Sequence, residues 1–347
     1  MTSTPRILVT GGTGYIAGVL IRQLLAAGWQ VNTTVRDLKR EPALRQLLAV
    51  APDDERLRCF AADLMHDAGW ADAAAGCSHV AHLASPLPAG VPRDANELIT
   101  PARDGALRAL KAARDAGVQR FVMTSSVAAI AYGHGPGEHR FNEDDWTRLQ
   151  SPGIPPYVQS KTVAERAARD WVAREGGGLV FCTVNPSVVL GPVASADYSA
   201  SVLIVRSLLE GRIPALPNIG FGIVDVRDVA ELHWRALTAP GMADERFIAC
   251  GGFLWLREIA AVLRAELGEQ ARKVPTLQMP DWAVRLVAKV SPTVRAAASE
   301  LGTVRHQDST HAREVLGWTP RPPREAIVAT ARDLVALGVV PRQVNRN

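Results

Sequence analysis

The chain of 347 residues has only four cysteines, Cys59, Cys77, Cys182 and Cys250. They lie far apart with no CxxC spacing and each sits in or beside an apolar stretch, which excludes a disulfide framework and argues against a zinc site. No run of five or six basic residues occurs despite a net charge of +4 and a pI near 9.0. Scattered arginines on alternating elements do not make a nucleic-acid footprint, although a modest positive excess suits a ligand that carries phosphates. Nowhere do eighteen apolar residues run together, so a membrane span is not expected. The start, Met1 to Arg6, lacks a basic stretch followed by a long apolar one, and a cytoplasmic protein is the expectation. Internal repeats and low-complexity segments are missing too. His79, His82, His134 and His139 have no carboxylate or cysteine at ligand spacing, so no metal is expected.

What is present is a composition that can build a full core, 47% hydrophobic and 21% charged. Short β-rich runs at 7–10, 31–35, 57–61, 79–83, 121–124 and 179–184 alternate with helical patterns. That alternation, with strands apolar on both faces, predicts an α/β fold: a doubly wound parallel sheet of the Rossmann type. After Gly191 the alternation stops and the chain runs through proline-rich loops and helices at 199–210, 256–267 and 281–290. Residues 1–190 therefore read as a dinucleotide-binding domain. Residues 191–340 read as mainly a smaller substrate lobe, with some segments returning to the first domain and a loose tail beyond 341. Trp282 and Trp318, near helix ends, read as lobe packing, while Trp146 and Trp255 are candidates for the pocket border.

The first predicted strand runs into Thr10-Gly11-Gly12-Thr13-Gly14-Tyr15-Ile16-Ala17 and then a helical pattern. In that context Gly11 makes the tight turn, Gly14 lets backbone approach a pyrophosphate, and Ala17 allows close helix-on-strand packing. Thr13, Gly14, Tyr15 and Ile16 join Gly11 as candidate cofactor contacts. The second strand ends in Arg36, where an arginine pairs with a 2′-phosphate and a carboxylate would instead accept from a ribose hydroxyl. NADP(H) is thus the expected cofactor, with Arg36 as main clamp and Lys39 or Arg40 as helpers; Asp37 is expected to point to the opposite face. Asp63-Leu64, after the third strand, is placed for the adenine, with a helix cap as the alternative use of Asp63. Ala84-Ser85, after the fourth, leaves room for the cofactor to pass.

Tyr157 and Lys161 stand four residues apart on one helical face. An ammonium beside a phenol is expected to lower the phenol's pKa, so that Tyr157 serves as general acid in reduction and base in oxidation. Lys161 is also placed to hydrogen-bond the nicotinamide ribose. The fifth strand ends in Ser125-Ser126 at the carboxyl edge, where ligands of such sheets bind; of the two hydroxyls, Ser126 is the favoured one for holding a carbonyl oxygen.

With these motifs together (TGGTGYIA, TVRD, ADL, HLASP, TSSVAAI, YVQSK, NPSVVLGP, VDVRDVA and EVLGW, spread over residues 7–318) the chain resembles an extended short-chain dehydrogenase/reductase, of the dihydroflavonol reductase, cinnamoyl-CoA reductase and yeast-type carbonyl reductase branch. The resemblance implies a Ser126, Tyr157 and Lys161 triad, and nicotinamide contacts from the stretch 186–189, with Pro186, Val188 and Val189 named. Related nucleotide-sugar epimerases carry an arginine where this chain has Val224, and residues 213–224 hold no charge. An apolar or aromatic aldehyde or ketone, reduced to an alcohol by a monomer or homodimer, is the expected small-molecule substrate. The alternatives are a sterol or sugar dehydrogenase or epimerase, and a non-catalytic NADP(H) sensor, a class that tends to lose the Tyr/Lys pair. Specificity is expected in the loops 86–92, 128–156 and 192–224.

Overall fold

The computed structural model describes residues 5–86, 92, 94–195, 199–290, 294–295 and 298–340. The loop 86–92 and the tail beyond 341 thus lie almost wholly outside the described residues.

Five of the six expected strands appear within about one residue of their reading, and the sixth starts one residue late and runs two further: β1 (Arg6–Thr10), β2 (Gln30–Val35), β3 (Leu57–Ala61), β4 (His79–His82), β5 (Arg120–Thr124) and, after β6 (Glu138–Phe141), β7 (Val180–Pro186). Beyond them come β8 (Val188–Leu190), β9 (Gly220–Asp225), β10 (Glu245–Ala249), β11 (Gly252–Trp255) and β12 (Val304–Gln307). The main sheet runs β10-β7-β5-β4-β1-β2-β3, every pairing parallel. β10, from the late part of the chain, pairs with β7, Phe247 opposite Val184. Alternation along β1 sends Ile7 and Val9 into one hydrophobic cluster and Leu8 into another, so both faces of the sheet are covered.

Among the helices, α1 (Tyr15–Ala26), α2 (Glu41–Leu48), α3 (Trp70–Ala74), α4 (Asn96–Asp115), α5 (Pro156–Glu175), α6 (Val202–Glu210) and α7 (Val226–Thr238) come first. They are followed by α8 (Leu256–Leu267), α9 (Asp281–Val287), α10 (Thr310–Leu316) and α11 (Pro323–Ala336). α1 and α7 pack on one face of the sheet with residues such as Leu20, Leu24, Val229 and Leu232; α4 and α5 pack on the other with Ala106, Leu110, Ala164 and Ala168. A separate apolar cluster joins α6, α8 and α11 through Leu208, Ile259, Leu263, Ile327 and Leu334. Small sheets, β8-β9-β11 and β6-β12, line this lobe.

Two expectations about tryptophan part company. Trp318 is fully buried and its indole N–H donates to the Asp228 carbonyl at 2.9 Å, as packing requires. Trp282 is 70% exposed, because α9 turns only Val284 inward and leaves the opposite side open.

Candidate active site

Because the central strands are parallel, their carboxyl ends share one edge, and the order reverses direction between β1 and β4. That is where an open α/β sheet leaves a crevice for ligand. The glycine turn sits there. Gly11 has φ +71, and a Cβ on it would lie 3.1 Å from the Ala84 backbone, so the ends of β1 and β4 approach closely only because position 11 is bare. Thr10 Oγ1 ties the two ends together, accepting from the backbone N–H of Leu83 (3.0 Å) and Ala84 (2.9 Å) and lying 3.0 Å from His82 Nδ1. Burial pulls His82 down to about 3, with the charge of Lys161 adding to the effect, so His82 is neutral.

The N-terminus of α1 fits an anionic group. Its cap residue is Gly14, no side chain caps it, and its first turn holds no acid. A Cβ on Gly14 would meet the Gly11 carbonyl at 3.0 Å. The first N–H groups of α1 therefore face outward with the positive end of the helix dipole behind them. Thr13, Gly14 and Tyr15 line a cleft with Arg22 and Pro192. Ile16 packs against the α1/α7 cluster, and the Tyr15 hydroxyl is buried with no partner among the described residues. Gly12 was not singled out from sequence. A Cβ there would lie 2.3 Å from Thr33 Oγ1, so β2 crowds the turn from its other side.

Arg36 stands exposed at the end of β2, and Arg40 is partly buried just beyond it. The Asp37 carboxylate turns away to its own backbone, accepting from the Lys39 N–H at 2.9 Å. Asp63 does likewise, accepting from the Met65 N–H at 2.8 Å within a turn; no helix starts there, α3 beginning at Trp70 with Gly69 as its cap, while Leu64 presses on the bare Gly105 of α4. Ala84 and Ser85 are half-buried beside the turn.

At the middle of the same edge β5 ends and α5 begins. Pro155 and Pro156 start α5 cleanly, proline being tolerated at a first turn, so Tyr157 lies in the first turn and Lys161 one turn on. The Lys161 ammonium lies 5.9 Å from the Tyr157 ring centre. Ser126 Oγ accepts from the Ala128 N–H (3.1 Å) and donates to the Pro186 carbonyl (3.4 Å), bringing the end of β7 to the group. Val188 and Val189 follow on β8, Val189 buried and Val188 half-buried. Ser125 is differently engaged: its hydroxyl donates to the Glu165 carboxylate at 2.5 Å. Of the two serines, then, the one whose hydroxyl reaches Tyr157 is Ser126.

The electrostatics differ from expectation at Tyr157. Burial pushes its phenol above the ordinary value, and the hydrogen bond with Ser126 opposes this without overturning it. A lowering by Lys161 was expected; desolvation of the phenolate dominates instead, and what opposes it comes from Ser126. Burial also brings the Lys161 ammonium down to about 8, the Glu165 carboxylate holding it up against that pull. Near neutral pH the pair is a neutral phenol beside a cation.

Glu165, Asn185 and Arg246 are the residues sequence reading passed over. All three are buried, and Glu165 accepts from Asn185 Nδ2 (2.8 Å) and Arg246 Nε (2.7 Å). Trp146 stacks with Arg246, whose guanidinium lies 4.0 Å from the ring centre, so it braces this group; Trp255 carries Arg257 in the same way at 4.9 Å, on the far lobe. Among the described residues no cluster of acidic, histidine or cysteine side chains could hold a metal ion, and no helix is long and apolar enough to cross a membrane.

The chain is similar to known proteins in both sequence and fold. The model of the NAD dependent epimerase/dehydratase family matches residues 7–250. A cinnamoyl-CoA reductase of Medicago truncatula is 34% identical, over 79% of this chain and 82% of its own length. A dihydroflavonol 4-reductase of Zea mays is 30% identical over 82% and 81%. Among solved structures, Gre2 from Candida albicans in complex with NADPH superposes with a TM-score of 0.78 at 25% identity, covering 96% of this chain and 99% of that one.

Proposed function

The chain belongs to the NAD dependent epimerase/dehydratase family, and on that premise we propose that it is an NADPH-dependent reductase that turns the carbonyl group of a small aldehyde or ketone into an alcohol. The observation that carries this reading is the convergence of Ser126, Tyr157 and Lys161 at the carboxyl edge of the sheet, with a neutral phenol held beside an ammonium. When bound, NADPH supplies the hydride. The bare, uncapped α1 terminus accommodates the pyrophosphate at Gly11, Thr13, Gly14, Tyr15 and Ile16, and exposed Arg36, with Arg40 near it, pairs with the 2′-phosphate. Asp63 and Leu64 border the adenine, Ala84 and Ser85 the passage between β1 and β4, and Pro186, Val188 and Val189 the nicotinamide.

Ser126 donates to the substrate oxygen and orients it. Tyr157 gives that oxygen its proton, a task for which a phenol kept protonated by burial is ready at neutral pH. Lys161, cationic below about 8, stabilises the phenolate that remains after the proton has left. The relatives are named for reductions of aromatic compounds, and residues 213–224 carry no charge, which supports an apolar or aromatic substrate over a sugar nucleotide. Tyr157→Phe is the test. Binding of NADPH should stay close to that of the parent, while turnover falls by about 10²- to 10⁴-fold, the usual worth of a positioned acid. A variant of normal turnover removes Tyr157 from the chemistry.

A further inference from the structure

Glu165 is a fully buried carboxylate on α5, two turns after Tyr157 and one after Lys161. Five side chains from three elements and the strand end beside them point at it. From α5 itself comes Arg169 Nε (3.3 Å); from the end of β5, Ser125 Oγ (2.5 Å); from β7, Thr183 Oγ1 (3.3 Å) and Asn185 Nδ2 (2.8 Å); from β10, Arg246 Nε (2.7 Å). Asn185 Nδ2 also donates to the Ser126 carbonyl at 3.2 Å, so the serine that faces Tyr157 is held through the same centre. Arg246 continues outward to the carbonyls of Glu143 and Asp145 (2.8 Å to the latter).

We propose that Glu165 is a positioning residue for the reaction: it locks the Ser125–Ser126 strand end to the helix that carries Tyr157 and Lys161, and it sets a carboxylate one helical turn beyond Lys161. The proposal rests on the reading of Ser126, Tyr157 and Lys161 as the reacting groups. A buried carboxylate without partners would be costly, and an amide in its place would keep one accepting oxygen but turn an NH2 group toward donors. What an amide lacks is the charge. Among the described residues, Lys161 is faced by Tyr157 and Glu165 from its own helix and by neutral His82 from β4, and of these Glu165 is the anion. Burial by itself would raise the Glu165 carboxyl, but Arg246, Arg169 and the Ser125 hydroxyl outweigh it and keep it ionised.

The test uses Glu165→Gln, Glu165→Asp and Ser125→Ala in the full chain. Lys161 is titrated in the cofactor-free protein through the NMR signals of its side-chain end, and kcat and KM for carbonyl reduction are followed against pH. In Glu165→Gln, with Arg246 losing its carboxylate while Arg169 keeps Asp244, the Lys161 midpoint is expected to fall by about one pH unit or more. The alkaline limb of kcat should move down with it, KM should change less than kcat, and Glu165→Asp should restore the limb. An unchanged midpoint, or an aspartate no closer to the parent than the glutamine, overturns the proposal. Should Glu165→Gln fail to fold, Ser125→Ala decides the tether: a fall in kcat on the order of tenfold with the limb in place supports it, since a few tenths of an ångström at a reacting group cost that much, and parent-like kcat refutes it. The NMR titration reads Lys161 without turnover. If the parent protein reduced no carbonyl, the functional reading would fail while the coupling of Glu165 to Lys161 was still measured.

Discussion

Adding one methyl group at Gly12 tests how the turn is built. The new Cβ of Gly12→Ala would lie 2.3 Å from Thr33 Oγ1, 3.1 Å from its Cγ2 and 3.2 Å from its Cβ. Thr33 has no easy retreat: it is fully buried on β2, and its hydroxyl donates to the Val9 carbonyl at 2.7 Å. Either the rotamer turns and that bond is lost, or the turn lifts away from β2 and strains the Gly12 N–H to Thr34 carbonyl bond of 2.9 Å. Overpacking costs about 1–3 kcal/mol and a lost buried bond about 1 kcal/mol, so the variant should be about 2–4 kcal/mol less stable. Urea unfolding of parent, Gly12→Ala, Thr33→Ala and the double variant gives the coupling directly. The double variant should be more stable than the sum of the two single losses predicts, by about 1–2 kcal/mol, because removing the hydroxyl and methyl of Thr33 vacates most of the clash. NADPH affinity should recover with it. Parent-like stability in Gly12→Ala, or strictly additive losses, would refute this account of the turn.

Three further expectations follow from the same geometry. Arg36→Ala should weaken NADPH by roughly 10- to 150-fold, the equivalent of about 1.5–3 kcal/mol for a charge-assisted bond, and leave NADH almost unchanged; calorimetric titration of both cofactors reads it. Ser126→Ala should lower kcat for reduction by about 10²- to 10³-fold, as loss of one donor to the developing oxyanion does, with NADPH affinity retained in the same titration. Lys161 titrates near 8 in the folded chain against an ordinary 10.5, so between these values the unfolded chain holds the extra proton and stability contributed by this group rises with pH. The difference in unfolding free energy between the parent and Lys161→Met should therefore shift in the parent's favour by about 3 kcal/mol from pH 8 to 10.5; a flat difference contradicts the placement of Lys161.

Much of the frame was readable because its signals are local. Strands buried on both faces gave unbroken apolar runs, and the strand, glycine turn and helix at 6–26 carry their fold in consecutive residues. Tyr157 and Lys161 were readable because helical spacing alone brings them together. β10 was not, since Glu245-Arg246-Phe247-Ile248-Ala249 looks half solvated and becomes a sheet strand only by pairing with β7, some sixty residues earlier. Glu165 resembled a surface residue among the charges of α5, yet a signal was there: it shares the face of Tyr157 and Lys161, and an acid on a buried face needs cations from elsewhere. One of these cations, Arg169, stands four residues on in the same helix; the other, Arg246, only the tertiary fold brings in. The direction of the Tyr157 shift was missed for a similar reason, because sequence names the neighbouring lysine but not the depth of burial.

The most direct measurement is oxidation of NADPH, with NADH in parallel, followed by loss of reduced-nicotinamide absorbance against aromatic aldehydes, aryl ketones, β-ketoesters and diketones. Turnover of members of this panel, with a clear preference for NADPH, is the expected result. Tight NADPH binding without turnover of any carbonyl compound, or an equal rate with NADH, would contradict it.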